Sequence, residues 1–201
     1  MRGLILFLRA RRAPMAMGTS VFVLVVLWVL WERSSDSPQA GLQMVVLSIL
    51  LLVSALTMTL SGPDDELDET GAVPWPVRRA VHLLIVVVLV GGLMLITQLT
   101  GTRFGPMSLV LRDTAGLLGL SALSAAVIGT ARAWFVPLGW TMAAVIFPRS
   151  DTLLSRVLTW QAQEPTSTAA AVTATVLALA GLIAYTVMGP ARGAPAEAAA
   201  Q

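Results

Sequence analysis

Apolar residues are not scattered along this chain; they gather into six long blocks separated by short polar intervals. The blocks are Met15–Trp31, Gly41–Leu60, Ala80–Leu99, Thr114–Thr130, Ala133–Phe147 and Thr168–Met188. Each is near the ~20 residues that a helix needs to cross ~30 Å of hydrocarbon, the fourth and fifth being short. Helices are the expected element, because an unpaired backbone amide in lipid costs several kcal/mol and the alternating pattern of a membrane barrel is absent. The expected fold is therefore all-α: a polytopic membrane protein of about six transmembrane helices. Residues 1–189 form a single membrane domain and 190–201, small and polar, a disordered tail.

Two shorter elements flank this pattern. Leu4–Leu8, followed by Arg9, Arg11 and Arg12, predicts an N-terminal interfacial helix. A cleaved secretory signal is disfavoured, since the first block ends in Trp28, Trp31 and Glu32 rather than in small residues. Ser150–Glu164 predicts a short extracytoplasmic surface helix, with Ser150 or Asp151 as N-cap, Leu153, Leu154, Val157 and Leu158 on one side, and Pro165 as its stop. It either gates a path or simply connects two spans. The fourth and fifth blocks, parted only by Ala131 and Arg132, are two tight crossings or a hairpin that does not cross fully.

Composition supports the membrane assignment: 56% of residues are hydrophobic and 12% charged. All thirteen basic residues are arginines, set against eleven acids. They lie at block edges and form no nucleic-acid patch, so no nucleic-acid partner is expected. With six crossings, Arg2, Arg9, Arg11, Arg12, Arg78, Arg79, Arg132 and Arg192 share one side, against Arg33, Arg103, Arg112, Arg149 and Arg156 on the other. The excess predicts a cell-membrane protein with both termini in the cytoplasm. Trp28, Trp31, Trp75, Trp134 and Trp140 fall near block ends, where indoles anchor at the headgroup level.

The candidate chemistry is sparse. No cysteine is present, which excludes thiol chemistry, and the single histidine, His82, excludes a multi-histidine metal site. No nucleophile elbow, zinc-protease motif or phosphate-cradling Gly-x-x-x-x-Gly-Lys loop occurs, so no catalytic residue, metal or cofactor is expected and the chain is not expected to be an enzyme. His82 reads as an interfacial histidine, and Arg112–Asp113 as an interfacial charge pair. Small residues four apart, as in Ala115/Gly119, Ser121/Ala125, Ala125/Gly129 and Ala170/Ala174/Ala178, predict close helix packing or a dimer seam. The longest interval on the cytoplasmic side, Ser61–Arg79, carries Asp64, Asp65, Glu66, Asp68 and Glu69, and is either a solvated connector or a surface that meets a basic partner.

The interfacial leader, six spans, a loop after the second span, the tight fourth-to-fifth link and a polar helix before the last span together resemble the small membrane subunits of ATP-binding-cassette exporters. The likeness is to the drug-export and lantibiotic-immunity class of actinobacteria. The run from Trp160–Gln161 through Tyr185 to Gly189–Pro190–Ala191–Arg192 is similar as well. The chain departs from that class in its short length and in its acidic, proline-rich second loop. The resemblance implies a permease subunit that pairs with a second, identical or different, membrane subunit and draws energy from separate ATPase subunits. It implies that the five acids of the 64–69 loop dock the ATPase and that Arg156 and Trp160 lie near an outer gate. The alternative is a non-transporting scaffold or accessory subunit that binds partner helices through its small-residue faces.

Overall fold

A computed structural model describes residues 13–37, 39–57, 59, 75–100, 103–147, 150 and 152–191. These residues form seven α-helices, α1 (Ala13–Ser34), α2 (Leu42–Thr57), α3 (Trp75–Thr97), α4 (Met107–Ile128), α5 (Phe135–Ile146), α6 (Leu153–Leu158) and α7 (Thr168–Met188), and two single 3-10 turns, Thr130–Arg132 and Trp160–Ala162. Among them there is no strand beyond an isolated bridge between Gln39 and Arg103. Helices α1, α3, α4 and α7 are long and apolar enough to cross a membrane. Helix α2, with 16 residues, is about 24 Å long and α5, with 12, about 18 Å. The expected leader helix and the acidic loop Asp64–Glu69 both lie outside the described residues.

Helix α4 is the axis of the bundle. Its central window is 72% buried, against 17% for α1, and its mean hydropathy, 1.3, is the lowest of the four long helices. Both facts have one cause: a helix surrounded by protein need not satisfy lipid, so it can carry Ser121, Ser124 and a run of small residues instead of long aliphatic chains. Helix α7 packs along it more extensively than any other pair of elements packs. The buried face of α7 is Ala170, Ala174, Gly181 and Tyr185, while Val172, Val176, Leu179, Ile183 and Val187 face outward. The small-residue stripes thus serve packing inside the chain.

Local sequence sets the helix ends. Ser167 caps α7 by accepting from the Ala170 amide, and Gly189 ends it at φ 73°. Pro137 sits in the first turn of α5, where a missing N–H costs nothing, and Phe147, preceding Pro148, is extended and stops the helix. Helix α4 begins at Met107, two turns before the expected Thr114, because Arg112 and Asp113 are paired within the helix rather than marking its end.

The linkers collect at two ends. At one, which we call the connector end, the Ala40 amide donates to Arg103 O at 2.9 Å and Trp28 Nε1 donates to Thr100 Oγ1 at 3.1 Å. At the opposite end Thr59 Oγ1 meets His82 Nε2 at 3.0 Å, an Arg79 nitrogen donates to Thr186 O at 3.3 Å, and the Ala191 amide donates to Ala125 O at 2.9 Å. Residues 192–201 of the expected tail lie outside the described residues.

Candidate functional site

Helix α5, with 12 residues, is shorter than α2, and the chain after it folds back so that Thr159, Trp160 and Gln161 are buried. Residues 150–167 fold as α6 and a 3-10 turn, shorter than the continuous surface helix that the pattern of Ser150–Glu164 predicts. The N-cap is Thr152, whose hydroxyl accepts from the Ser155 amide at 3.3 Å; Ser150 instead donates its own amide to Ser155 Oγ at 3.0 Å. Leu153 and Leu154 remain exposed, 74% and 70%, whereas Thr159, Trp160 and Gln161 are wholly buried. The connector therefore has an outer, apolar side and a polar tip that enters the bundle.

Glycine makes room for that tip. A β-carbon on Gly116 would fall 2.9 Å from Cζ3 of Trp160 and 3.1 Å from the α-carbon of Ala174, so the outer edge of the indole occupies a notch between α4 and α7. Gly116 is nine residues into α4, about 13 Å from its start. Irregular backbone at such a depth is tolerated only where protein or an enclosed cavity surrounds it.

The tip is tied down by charge and by side-chain hydrogen bonds. Arg112 donates from Nε to Asp113 Oδ1 at 2.8 Å and from its two terminal nitrogens to Glu164 O at 2.8 Å and Gln163 O at 3.1 Å. Its side chain is 7% exposed and that of Asp113 0%. The pair that reads as interfacial in sequence is thus internal, and its arginine closes the last carbonyls of the connector. Trp140 Nε1 donates to Leu158 O at 3.0 Å, and Thr141 Oγ1 lies 2.8 Å from Gln161 Oε1. The Thr141 hydroxyl also lies 2.8 Å from Pro137 O. It has one proton, and Pro137 O and Gln161 Oε1 both lie within its reach.

Four buried polar atoms have no partner among the described residues: Asp113 Oδ2, Thr114 Oγ1, Trp160 Nε1 and Gln161 Nε2. Asp113 and Gly116 are three residues apart and share a face of α4, so the acid stands one turn from the glycine that Trp160 covers. Other buried hydroxyls of the spans behave differently. Ser20, Ser48, Ser121 and Ser124 each donate to the carbonyl four residues back in their own helix, at 2.7–2.9 Å. An unsatisfied buried polar group costs ~1–3 kcal/mol, and three of the four belong to the connector or to Asp113, whose partner Arg112 is bonded to it.

Three hollows open around the connector. One of about 520 Å³ is lined by Gln39, Gln98, Arg103 and Glu164; one of about 350 Å³ by Ser150, Arg156, Gln163 and Thr166; and one of about 200 Å³, between α2 and α5, by Gln43, Val46, Thr141, Val145 and Gln161. Of the residues singled out in sequence, Arg156 is exposed at the rim of the second and Trp160 is sealed in the notch beneath the connector, so the structure does not bring the two side chains to one surface. Asp113, Thr141 and Gln161, which the sequence did not mark as site residues, form the polar layer. The signal for Asp113 was available, since an acid inside a span is costly unless it has a role. Among the described residues no three histidine, aspartate or glutamate side chains cluster to hold a metal ion.

Comparison with known proteins gives no relative: the chain matches no family model, no curated protein and no solved structure.

Proposed function

We propose that the chain is a permease subunit of an ATP-driven exporter. It would cross the membrane six times, with α2 and α5 as the two short crossings and both termini in the cytoplasm. The observation that carries this reading is the polar connector folded back among the spans, with Asp113 Oδ2, Trp160 Nε1 and Gln161 Nε2 buried in or beside it and without a partner among the described residues. A chain that only had to stay in the bilayer gains nothing from such a layer, whereas a protein that handles the polar end of an amphiphile uses it. Arg156, on the rim of the hollow above the tip, and Trp160, below it, are the outer-gate residues in this reading. A second membrane subunit, identical or different, completes the path, and separate ATPase subunits dock at Asp64, Asp65, Glu66, Asp68 and Glu69.

The test is purification of the tagged chain from its native membrane in mild detergent, with identification of stoichiometric partners and of ATP turnover. A bound ATPase subunit whose retention falls when the five acids are neutralised supports the proposal. An ATPase that stays bound to the neutralised variant removes the docking assignment. A second reading, a scaffold that organises another membrane complex, is favoured by one feature: along the middle of α4 and α7 the backbones touch, leaving no room for a passage at that seam. Recovery with a different membrane complex and no ATPase would select it.

A further inference from the structure

The largest of the three hollows, about 520 Å³, lies where three linkers meet. Gln39 reaches it from the α1–α2 linker, Gln98 and Arg103 from the α3–α4 linker, and Glu164 from the end of the connector. Thr97 ends one long apolar helix and Met107 begins the next, so residues 98–106 fall at the end of two spans, where head groups lie. Part of the lining is apolar and buried, from Ala40, Val45 and Leu109, whereas Arg103 and Glu164 are exposed.

Arg103 and Glu164 carry opposite charges and line one hollow, yet they are not paired with each other. Among the described residues neither side chain is bonded to any other protein group. Their backbones are fixed by contacts that leave the side chains unused. Arg103 O accepts from the Ala40 amide at 2.9 Å, and Glu164 O accepts from Arg112 at 2.8 Å. The result is a cavity within the ~300–1,000 Å³ range of small-molecule sites, with a cation and an anion on its wall held by separate linkers.

That pair selects its occupant. A purely anionic molecule satisfies Arg103 but meets the Glu164 carboxylate, and a purely cationic one does the reverse; a molecule with both charges a few bonds apart satisfies both. The planar guanidinium fork fits two oxygens of a phosphate, the anionic group at head-group depth. The carboxylate accepts only from a nitrogen that carries protons, which a quaternary ammonium lacks. Gln98, whose Nε2 donates to Gly105 O at 2.7 Å, has its amide oxygen left as a further acceptor. We infer that this hollow binds a phosphoethanolamine zwitterion, with its phosphate on Arg103 and its primary ammonium on Glu164. A phosphatidylethanolamine head group and soluble glycerophosphoethanolamine share this chemistry, and the site does not depend on the permease reading.

The experiment is native mass spectrometry of the purified full-length chain in detergent, with equimolar phosphatidylethanolamine, phosphatidylcholine and phosphatidylglycerol of identical acyl chains. Phosphatidylethanolamine should be retained roughly fivefold more than either competitor, the factor expected for one hydrogen bond. Glu164→Gln should lower its retention to that of phosphatidylcholine, and Arg103→Gln should weaken both. Arg33→Gln, which removes an exposed arginine of the last turn of α1 that does not line the hollow, should leave the preference intact. Glycerophosphoethanolamine in excess distinguishes the two sources: displacement of the lipid assigns the site to the zwitterion alone, and lipid that stays bound assigns it to the membrane lipid. Equal retention of the three lipids by the unaltered chain overturns the inference. So does a preference that Glu164→Gln leaves unchanged, or a loss with Arg33→Gln as large as with Arg103→Gln. Because no ATPase is present, failure here leaves the permease reading standing, and a chain that binds the zwitterion but recruits no ATPase leaves this site standing.

Discussion

Gly119 and Gly181 meet backbone to backbone: a β-carbon added to Gly181 would land on the carbonyl group of Gly119, and one added to Gly119 would strike the backbone of Leu177 and Ala178. Neither obstacle is a flexible side chain that can turn away. Gly119→Ala and Gly181→Ala should each force α4 and α7 apart and lower stability by about 1–3 kcal/mol, the range for overpacking. Gly92→Ala is the matched control, since nothing lies within 4 Å of its added carbon, and it should leave stability unchanged or raise it. Thermal unfolding in detergent, followed by tryptophan fluorescence, checks the contrast; equal effects at all three positions would refute the seam.

Arg112 satisfies three acceptors at once, and its removal leaves Asp113 buried without a counter-charge. Arg112→Met should destabilise the protein by about 3–5 kcal/mol. Arg112→Met combined with Asp113→Leu should cost less than Arg112→Met alone, because the stranded carboxylate disappears with it. A double variant as unstable as the sum of the singles would mean that the two side chains act independently.

The two indoles around the connector have opposite bonding states. Trp140 Nε1 is paired with Leu158 O, and Trp160 Nε1 has no partner among the described residues. Trp140→Phe should therefore cost about 1 kcal/mol for the lost bond. Trp160→Ala should cost about 3–5 kcal/mol, since it empties the notch over Gly116. Denaturation midpoints of the two variants give the ordering directly, and a Trp140→Phe effect larger than that of Trp160→Ala would contradict this assignment of roles.

Much of the bundle was legible in the pattern of apolar blocks. Thr168–Met188 is both the expected block and the helix, because Ser167 and Gly189 punctuate it in sequence as they do in space. The block starting at Thr114 was cut short by Arg112–Asp113, since a sequence shows that two charges are adjacent but not that one of them also reaches carbonyls 51 and 52 residues away. Five tryptophans near block ends read alike as anchors, yet Trp28, Trp31 and Trp140 each donate to a protein acceptor. The descent of Thr159–Gln161 into the bundle was not legible. The leucines before it advertise an amphipathic surface helix, and the cause of the descent, a glycine notch on another helix, lies more than 40 residues upstream.

The unequal lengths of the helices have a mechanical consequence for the bilayer itself. In the proposed six-crossing arrangement, helices α2 and α5, about 24 and 18 Å long, flank one hollow in ~30 Å of hydrocarbon. Lipid against that face would then compress, at a fraction of a kcal/mol per Å of mismatch, so each chain would carry a dent in the membrane on one side only. Two chains that turn their thin sides together shorten the deformed perimeter, which is an elastic attraction requiring no specific contact. Energy transfer between labelled chains should rise as vesicle acyl chains are lengthened, and the bilayer's own stiffness then becomes a force that brings copies of this protein together.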